Sequence, residues 1–329
     1  MKIKILEAES LAKTALTKIG FGDKDSDLII KNLIEAELAD KKTHGLIRIP
    51  ALKKQVANGT ITIDNKPIET ISETPSSLHL NGNNKSGFIV IYQSFEKAIQ
   101  KAKESGMVSV GLKDLSYASG FIGAYARLAT ENDLIFIGFN NSAGGLIPHG
   151  AKKELWGTNP LTIGVPTNSG PVILDMASSM TTWGNLMVAK QEGKQLPEGV
   201  ALDEDGKPTT DPERAMAGGI LPFSGHKGSG LAFIVELLAG ALTGSRVGYS
   251  VEGGWGTFYI LIDPKVFRPI DAFKTDVSKA IQELKSAPKA DGVDEIFYAG
   301  EQSNRLRSAH LKSGVIEVSD KLLSELKEI

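Results

Sequence analysis

Three groups of residues have the types and spacing that chemistry on a small acid needs. His44 and Arg48 lie in THGLIRIP (Thr43–Pro50), four residues apart, which puts both on one face if the segment is helical. A histidine can give up or take a proton near neutral pH. An arginine fork can hold a carboxylate through two hydrogen bonds. Reduction of a 2-oxo acid needs both functions: an acid for the developing oxyanion and an anchor for the carboxylate. A surface His and Arg beside a helix start would have the same spacing, so spacing alone leaves both readings open.

The second group is LPFSGHKGSGLAFIVELLAGALTG (Leu221–Gly244), where Gly225, Gly228 and Gly230 flank His226 and Lys227 and an apolar helix follows. Free N–H groups and the positive end of a helix attract phosphate, and a lysine adds a full charge. A tight turn feeding a buried helix, with Ser229 as its cap, accounts for the same glycines. The third is the loop region Asn140-Asn141-Ser142, Pro148-His149-Gly150 and WGTNP (Trp156–Pro160). Turn chemistry explains each residue there, and a loop that long and polar between strands can also line a pocket.

Several chemistries are excluded. No G-x-G-x-x-G follows a strand, and Gly145–Lys152 lacks the GK[ST] of a phosphate-binding loop. The chain has no cysteine, so thiolate nucleophiles, disulfides and zinc ribbons are out. His79, His149 and His310 show no metal spacing, and no metal site is expected.

The elements that must carry these residues follow from periodicity. Leu11, Ala12, Ala15, Leu16 and Ile19 recur at helical spacing up to Gly20, a C-terminal glycine cap. A second helix is predicted from about Ser26, as its N-cap, through Leu33 and Ala36 towards Asp40, and another after Pro50 through Leu52 and Val56. From about residue 75 the pattern changes to β-like runs at Met107–Leu112, Leu134–Phe139, Leu161–Val165, Val172–Met176 and Thr257–Ile262. Helical stretches at about 88–104, 121–131 and 229–243 separate them, which predicts an α/β interior with a mixed sheet. The stretch from Gln191 to Gly219 is polar, without periodicity, and reads as a surface excursion. The tail returns to helices, with Phe273, Val277, Ile281 and Leu284 on one face and a last helix capped near Ser319. We divide the chain into an N-terminal helical segment (1–74) of a substrate and dimerisation domain, an α/β cofactor-binding domain (75–268), and a C-terminal helical segment (269–329) that packs back on the first.

With 329 residues the chain can form two domains, and 41% hydrophobic with 23% charged residues is ordinary for a soluble globular protein. A net charge of -2 argues against a nucleic-acid partner. No apolar run approaches the roughly 18 residues of a membrane span, and MKIKILEAES carries no secretory h-region. A cytoplasmic protein without membrane attachment is expected.

The chain resembles the malate/L-lactate dehydrogenase family, which is distinct from the Rossmann-type enzymes and includes ureidoglycolate, sulfolactate and diketogulonate dehydrogenases and Δ1-piperideine-2-carboxylate reductase. The resemblance covers nearly the whole chain and rests on THGLIRIP, the S-x-x-x-G-x-x-G-x-Y-A run at Ser116–Ala126, WGTNP, LDMA (Leu174–Ala177) and LPFSGHKGSGL (Leu221–Leu231). It implies a non-Rossmann dinucleotide-binding domain with a mixed sheet, a mainly helical domain built from the two chain ends, and a homodimer with its site between cofactor and substrate domains. It further implies His44 as proton donor with Thr43 beside it, and Arg48, Thr158, Trp183 and Gly184 at a small carboxylic-acid substrate. The dinucleotide, NAD or NADP, would meet Ser116, Tyr117, Ala118, Ser119, Gly120 and Phe121, then Asp175, Met176 and Ala177, then His226 and Lys227, with Gly300 and Glu301 besides.

The chain departs from the family pattern at several positions. Thr43 replaces a common Ser, Asn185 stands where the imino-acid branch has Asp, Ala118 where many members have His, and Gln302 and Ser303 where that branch has basic residues. NAD against NADP, and a 2-oxo or 2-hydroxy acid against a cyclic 2-imino acid, therefore stay open. A catalytically silent nucleotide-binding dimer is the alternative reading.

Overall fold

A computed structural model describes residues 1–64 and 66–329 of the chain, with the side chains of 252 and 253 left aside. The chain opens with a short strand β1 (Lys2–Lys4), then α1 (Ile5–Ile19), α2 (Asp23–Leu38) and α3 (Arg48–Ala57). Gly20 closes α1 with a φ of 113°, as its position suggested. The start of α2 differs from expectation: Gly22 is the N-cap, and Ser26 lies buried inside the helix. Pro50 sits in the first turn of α3, where its missing N–H has no helical partner to lose.

The central part brings β2 (Glu69–Thr74), β3 (Ser77–Asn81), α4 (Gly87–Ser105), β4 (Met107–Leu115), α5 (Ile122–Glu131), β5 (Ile135–Asn140), β6 (Leu161–Val165) and β7 (Val172–Met176). Next come α6 (Trp183–Glu192), β8 (Ala201–Leu202), α7 (Pro212–Ala217), β9 (Gly219–Ile220), α8 (His226–Val235) and β10 (Trp255–Ile262). The tail is α9 (Ile270–Ser286), α10 (Glu301–Ser313), β11 (Val315–Glu317) and α11 (Asp320–Glu328).

Seven strands form one sheet in the order β2-β3-β4-β10-β5-β6-β7. Only β3 and β4 run parallel, joined by the α4 crossover, so the sheet is mixed and differs from a Rossmann sheet. Its core lies under α4 and α5, where Phe95 stacks on Tyr259 at 5.0 Å and on Tyr125 at 6.0 Å. The β2–β3 hairpin was not legible in the sequence because every β2 side chain is exposed, leaving no apolar alternation to read.

The two chain ends share a second core. β1 pairs antiparallel with β11, and Leu16, Leu33, Leu46, Ile49 and Leu52 pack with Ile316, Leu323 and Leu326. The 191–219 stretch is more than a surface excursion: β8, β9 and α7 enclose a small core of Leu186, Leu196, Val200, Ala201, Ala215 and Ile220. The apolar helix after Gly230 differs in the other direction. It widens into a π-helical turn at Glu236–Ala241, and Phe233 and Ile234, each 48% exposed, leave one of its faces uncovered within the single chain. Among the described residues no helix is long and apolar enough to cross a membrane.

Candidate active site

Glu37, on α2 and only 2% exposed, sets the turn that carries His44. Its Oε1 accepts the backbone N–H of Leu46 at 2.8 Å, and its Oε2 accepts from Lys42 Nζ at 3.1 Å. Any side chain at Gly45 would run into this carboxylate, which accounts for the glycine of THGL. Burial pushes the Glu37 carboxyl up, against the lowering pull of Lys42 and the Leu46 N–H. A 3-10 turn at Lys42–His44 results, and α3 starts at Arg48, so His44 ends one turn and Arg48 opens the next helix, and the two do not share one helix.

His44 Nδ1 lies 3.0 Å from Thr43 Oγ1, and Arg48 Nε donates to the Thr43 carbonyl at 2.7 Å. The second bond holds the guanidinium beside the imidazole and leaves its two terminal nitrogens without a partner among the described residues. Burial, together with the Arg48 and Lys41 cations, pushes the His44 imidazole down to about 4, so it is neutral at neutral pH.

Both side chains open onto a cavity of about 470 Å³. Its opposite wall is the 116–121 loop, a hairpin of backbone between β4 and α5. Asn32 of α2 clamps this loop, accepting from the Phe121 N–H at 2.8 Å and donating to the Phe121 carbonyl at 3.1 Å. Gly120, with φ 78°, passes so close to Asn32 and Phe88 that no Cβ fits. Tyr117 holds a φ of 62° without being glycine, a strained backbone at the cavity wall. The backbone N–H groups of Tyr117, Ala118, Ser119 and Gly120 donate to nothing among the described residues.

Asp175 closes the floor. It is reachable by solvent through the cavity yet surrounded by protein, and this loss of bulk water pushes its carboxyl up, against the lowering hydrogen bonds from Thr162 Oγ1 (2.7 Å) and Gly123 N–H (2.9 Å). The loops before β6 are fixed by the buried Glu236, which accepts from Asn159 Nδ2 at 2.8 Å and from the Gly248 N–H at 2.7 Å. Asn159 in turn accepts the Ser142 N–H at 3.2 Å, which ties Asn140–Ser142 to the cavity rim.

Of the residues singled out from sequence, the fold brings Thr43, His44, Arg48, Tyr117, Ala118, Ser119, Gly120, Phe121, Thr158, Asp175 and Ala177 to this one cavity. Ser116 is buried just behind the loop, its N–H on the Lys85 carbonyl at 3.0 Å. Gly184 touches Thr43 from the start of α6, whereas Trp183, 37% exposed, turns towards Gly145. Met176 is outside the lining. His226 and Lys227 stand exposed at the start of α8 with Gly225 as N-cap, and Ser229, expected as the cap, instead accepts the His149 N–H at 3.1 Å. Gly300 packs on Ile173 of β7 and is outside the lining. Glu301 is buried, and Lys285 and Arg305, each at 2.6 Å, hold its carboxyl down against that burial.

Sequence reasoning missed Lys41, Thr182 and Trp255 in the cavity lining, and Asn32, Glu37 and Glu236 behind it. Asn32 and Glu37 left a faint signal: each puts a polar group into the apolar face of α2. Among the described residues no three His, Asp or Glu side chains gather as metal ligands would.

The cleft thus brings together an imidazole, a guanidinium whose terminal nitrogens have no partner among the described residues, and a loop of backbone amides without acceptors, groups that can bind anions and polar ligands. The sequence profile of the malate/L-lactate dehydrogenase family matches residues 3–327. The L-sulfolactate dehydrogenase of Methanothermobacter thermautotrophicus is 38% identical over 295 residues, 87% of this chain and 86% of the relative. The malate/(S)-sulfolactate dehydrogenase of Methanothermus fervidus is 35% identical over 98% of this chain and 95% of its own length. The solved sulfolactate dehydrogenase of Methanocaldococcus jannaschii superposes with a TM-score of 0.90 at 32% identity, covering 100% of this chain and 96% of that one. The chain belongs to the malate/L-lactate dehydrogenase family. It is an oxidoreductase of that family, and the family's cofactor is a nicotinamide dinucleotide, NAD or NADP.

Proposed function

We propose that the chain transfers hydride between a nicotinamide dinucleotide and the α-carbon of a small 2-oxo or 2-hydroxy acid, with His44 moving the proton and Arg48 holding the carboxylate. The observation that carries this reading is the pairing of an imidazole with a guanidinium whose terminal nitrogens have no partner among the described residues, both opening on one cavity. Relatives named for malate and sulfolactate support the acid, and relatives named for NADP(+) and for NAD(+) leave the dinucleotide open between the two. A relative named as a Δ1-pyrroline-2-carboxylate and Δ1-piperideine-2-carboxylate reductase keeps cyclic imino acids in the panel to be tested.

The residues fit a dinucleotide. The unpaired amides of Tyr117–Gly120 can donate to its polar groups, and the buried Asn140 Oδ1, Tyr117 hydroxyl and Trp255 Nε1 lack partners at the same wall. The 116–121 loop, Asp175 and Ala177 would hold its reacting end, and Met176, outside the lining, is left out of that set. His226 and Lys227, exposed outside the lining, would be reached only by its distal part, whereas Gly300 packs on Ile173 and the buried Glu301 is taken up by Lys285 and Arg305. When bound, the dinucleotide supplies or accepts the hydride.

In the oxidising direction neutral His44 takes the hydroxyl proton at Nε2 while Nδ1–H donates to Thr43 Oγ1. In the reducing direction the same nitrogen returns the proton to the oxygen. Arg48 fixes the carboxylate so that the α-carbon faces the 116–121 loop. A bound carboxylate also offsets the Arg48 cation and so eases protonation of His44.

We read the exposed apolar face of Phe233, Ile234 and Leu237, with Met187 and Val188 of α6, as the surface a second copy covers in a homodimer. In this reading segments 1–74 and 269–329 form the substrate unit, 75–268 the cofactor unit that also carries this apolar face, so the dimer contact falls outside the chain ends where the sequence put it, and the protein works in the cytoplasm. Loss of nicotinamide absorbance across a panel of 2-oxo and cyclic imino acids, with NADH and NADPH, tests the activity. Turnover of a 2-oxo acid is expected, and no turnover on any member would refute the reading. Sedimentation tests the dimer, and a fully active monomer would refute that part.

A further inference from the structure

The proposed chemistry uses one cation of the cavity, and the cavity has two. Lys41 lines it together with His44 and Arg48 and is exposed. Its carbonyl accepts the His44 N–H at 2.8 Å, so the ammonium is carried by the same 3-10 turn that presents the imidazole. The neighbouring lysine is spoken for: Lys42 Nζ binds Glu37 at 3.1 Å and the Glu317 carbonyl at 2.8 Å. Lys41 makes no ion pair and no side-chain hydrogen bond among the described residues. The one carboxylate in the lining, Asp175, already accepts from Thr162 and Gly123 through its two oxygens. Lys41 depresses protonation at both His44 and Asp175, so its charge is felt across the cleft.

We infer that Lys41 is a specificity-determining residue that reads a second anionic group on the substrate, so that the site selects small 2-oxo or 2-hydroxy acids carrying two acidic groups over those carrying one. Arg48, with its planar fork, suits the carboxylate next to the reacting carbon. Lys41, a compact point charge on a flexible stem, suits a distal anion of less defined geometry, carboxylate or sulfonate. A substrate with one anion leaves Lys41 solvated and gains nothing from it. Selectivity is the difference between the two cases.

This inference rests on the reading of the site as one for acids, and the test separates the two. The measurement is kcat/KM for oxaloacetate and for pyruvate, with the dinucleotide the wild type uses, in wild type, Lys41→Ala and Lys41→Arg. Any effect of Lys41 on His44 protonation is shared by both substrates and cancels in their ratio at fixed pH. The diacid-to-monoacid ratio is expected to fall about ten- to hundredfold in Lys41→Ala, the range of one hydrogen bond to a charged group. Lys41→Arg is expected to restore most of it. A ratio unchanged in Lys41→Ala overturns the inference. If that unchanged ratio comes with weaker dinucleotide binding, read by nicotinamide fluorescence, the ammonium meets a cofactor phosphate instead. A wild type inactive on every acid of the panel removes the underlying reading, and this inference with it.

Discussion

The Gly225–Gly230 turn was the stronger pattern in the sequence and the His44–Arg48 pair the weaker, and the fold reverses their order. At the cleft, residues from α2, the 42–44 turn, the 116–121 loop and β7 converge, and the fixing bonds come from buried groups: Glu37 to Leu46, Asn32 to Phe121, Thr162 to Asp175. At the turn, His226 and Lys227 are exposed, and the nearest side-chain bond is Ser229 accepting from His149. Buried polar groups that clamp backbone cost much to leave unpaired, so they mark where geometry is held. An exposed histidine and lysine on a turn whose Gly228 is buried give a charged rim, suited in the proposed reading to the distal part of a long ligand. In the proposed reading, the difference separates where the reaction would be aligned from where binding would only be assisted.

The largest expected effect breaks the cleft itself. His44→Ala removes the proton-transfer group, and turnover is expected to fall by ~10²–10⁴-fold while dinucleotide affinity stays near that of the wild type. Steady-state rates beside a fluorescence titration check this, and a folded variant with near wild-type turnover excludes His44 from the mechanism.

Arg48→Lys sharpens the picture of the anchor. An ammonium cannot reproduce the fork, and the Nε bond to the Thr43 carbonyl is lost as well. The substrate KM is expected to rise roughly ten- to hundredfold. An unchanged KM would put the carboxylate elsewhere.

Asn32→Ala tests the clamp behind the cofactor wall. It leaves the Phe121 N–H and carbonyl without partners, at a cost of about 1–3 kcal/mol. A lower melting temperature and weaker dinucleotide binding are expected together. Loss of stability with unaltered binding would detach the 116–121 loop from the cofactor.

The smallest effect is expected on the other side of the comparison. Lys227→Ala should weaken dinucleotide binding by about tenfold and leave the substrate KM in place. An equal loss in both would bring the turn into the cleft chemistry.

How legible all this was depends on what each residue does locally. β6 and β7 could be bounded from sequence because their apolar runs end in turn residues, and the β6 and β7 bounds are those read from the chain. The β2–β3 hairpin, exposed on β2, left no such trace. THGLIRIP showed which side chains matter, yet its geometry depends on Glu37, a contact that only the docking of α2 against the turn creates. Lys41 and Trp255 have no local pattern at all, since they enter the cavity through the placement of whole elements. The apolar helix after Gly230 was expected to be buried, and Phe233 and Ile234 on it are half-exposed, because composition records hydrophobicity but not how the helix is packed.

The central claim is that a neutral, depressed imidazole at His44 moves the proton. Hydride transfer to a 2-oxo acid consumes one proton, so the equilibrium between the two directions shifts tenfold per pH unit, and the enzyme's groups decide which direction carries the slope. The value of kcat/KM reports the free enzyme. With His44 pushed down to about 4, nearly all enzyme between pH 5 and 8 is in the base form. The measurement is kcat/KM against pH across that range, for 2-hydroxy acid oxidation and 2-oxo acid reduction. Oxidation is expected to stay level, while reduction falls about tenfold per unit as pH rises. Oxidation climbing tenfold per unit with reduction level would mean that the free enzyme holds its imidazole protonated, and would contradict the account.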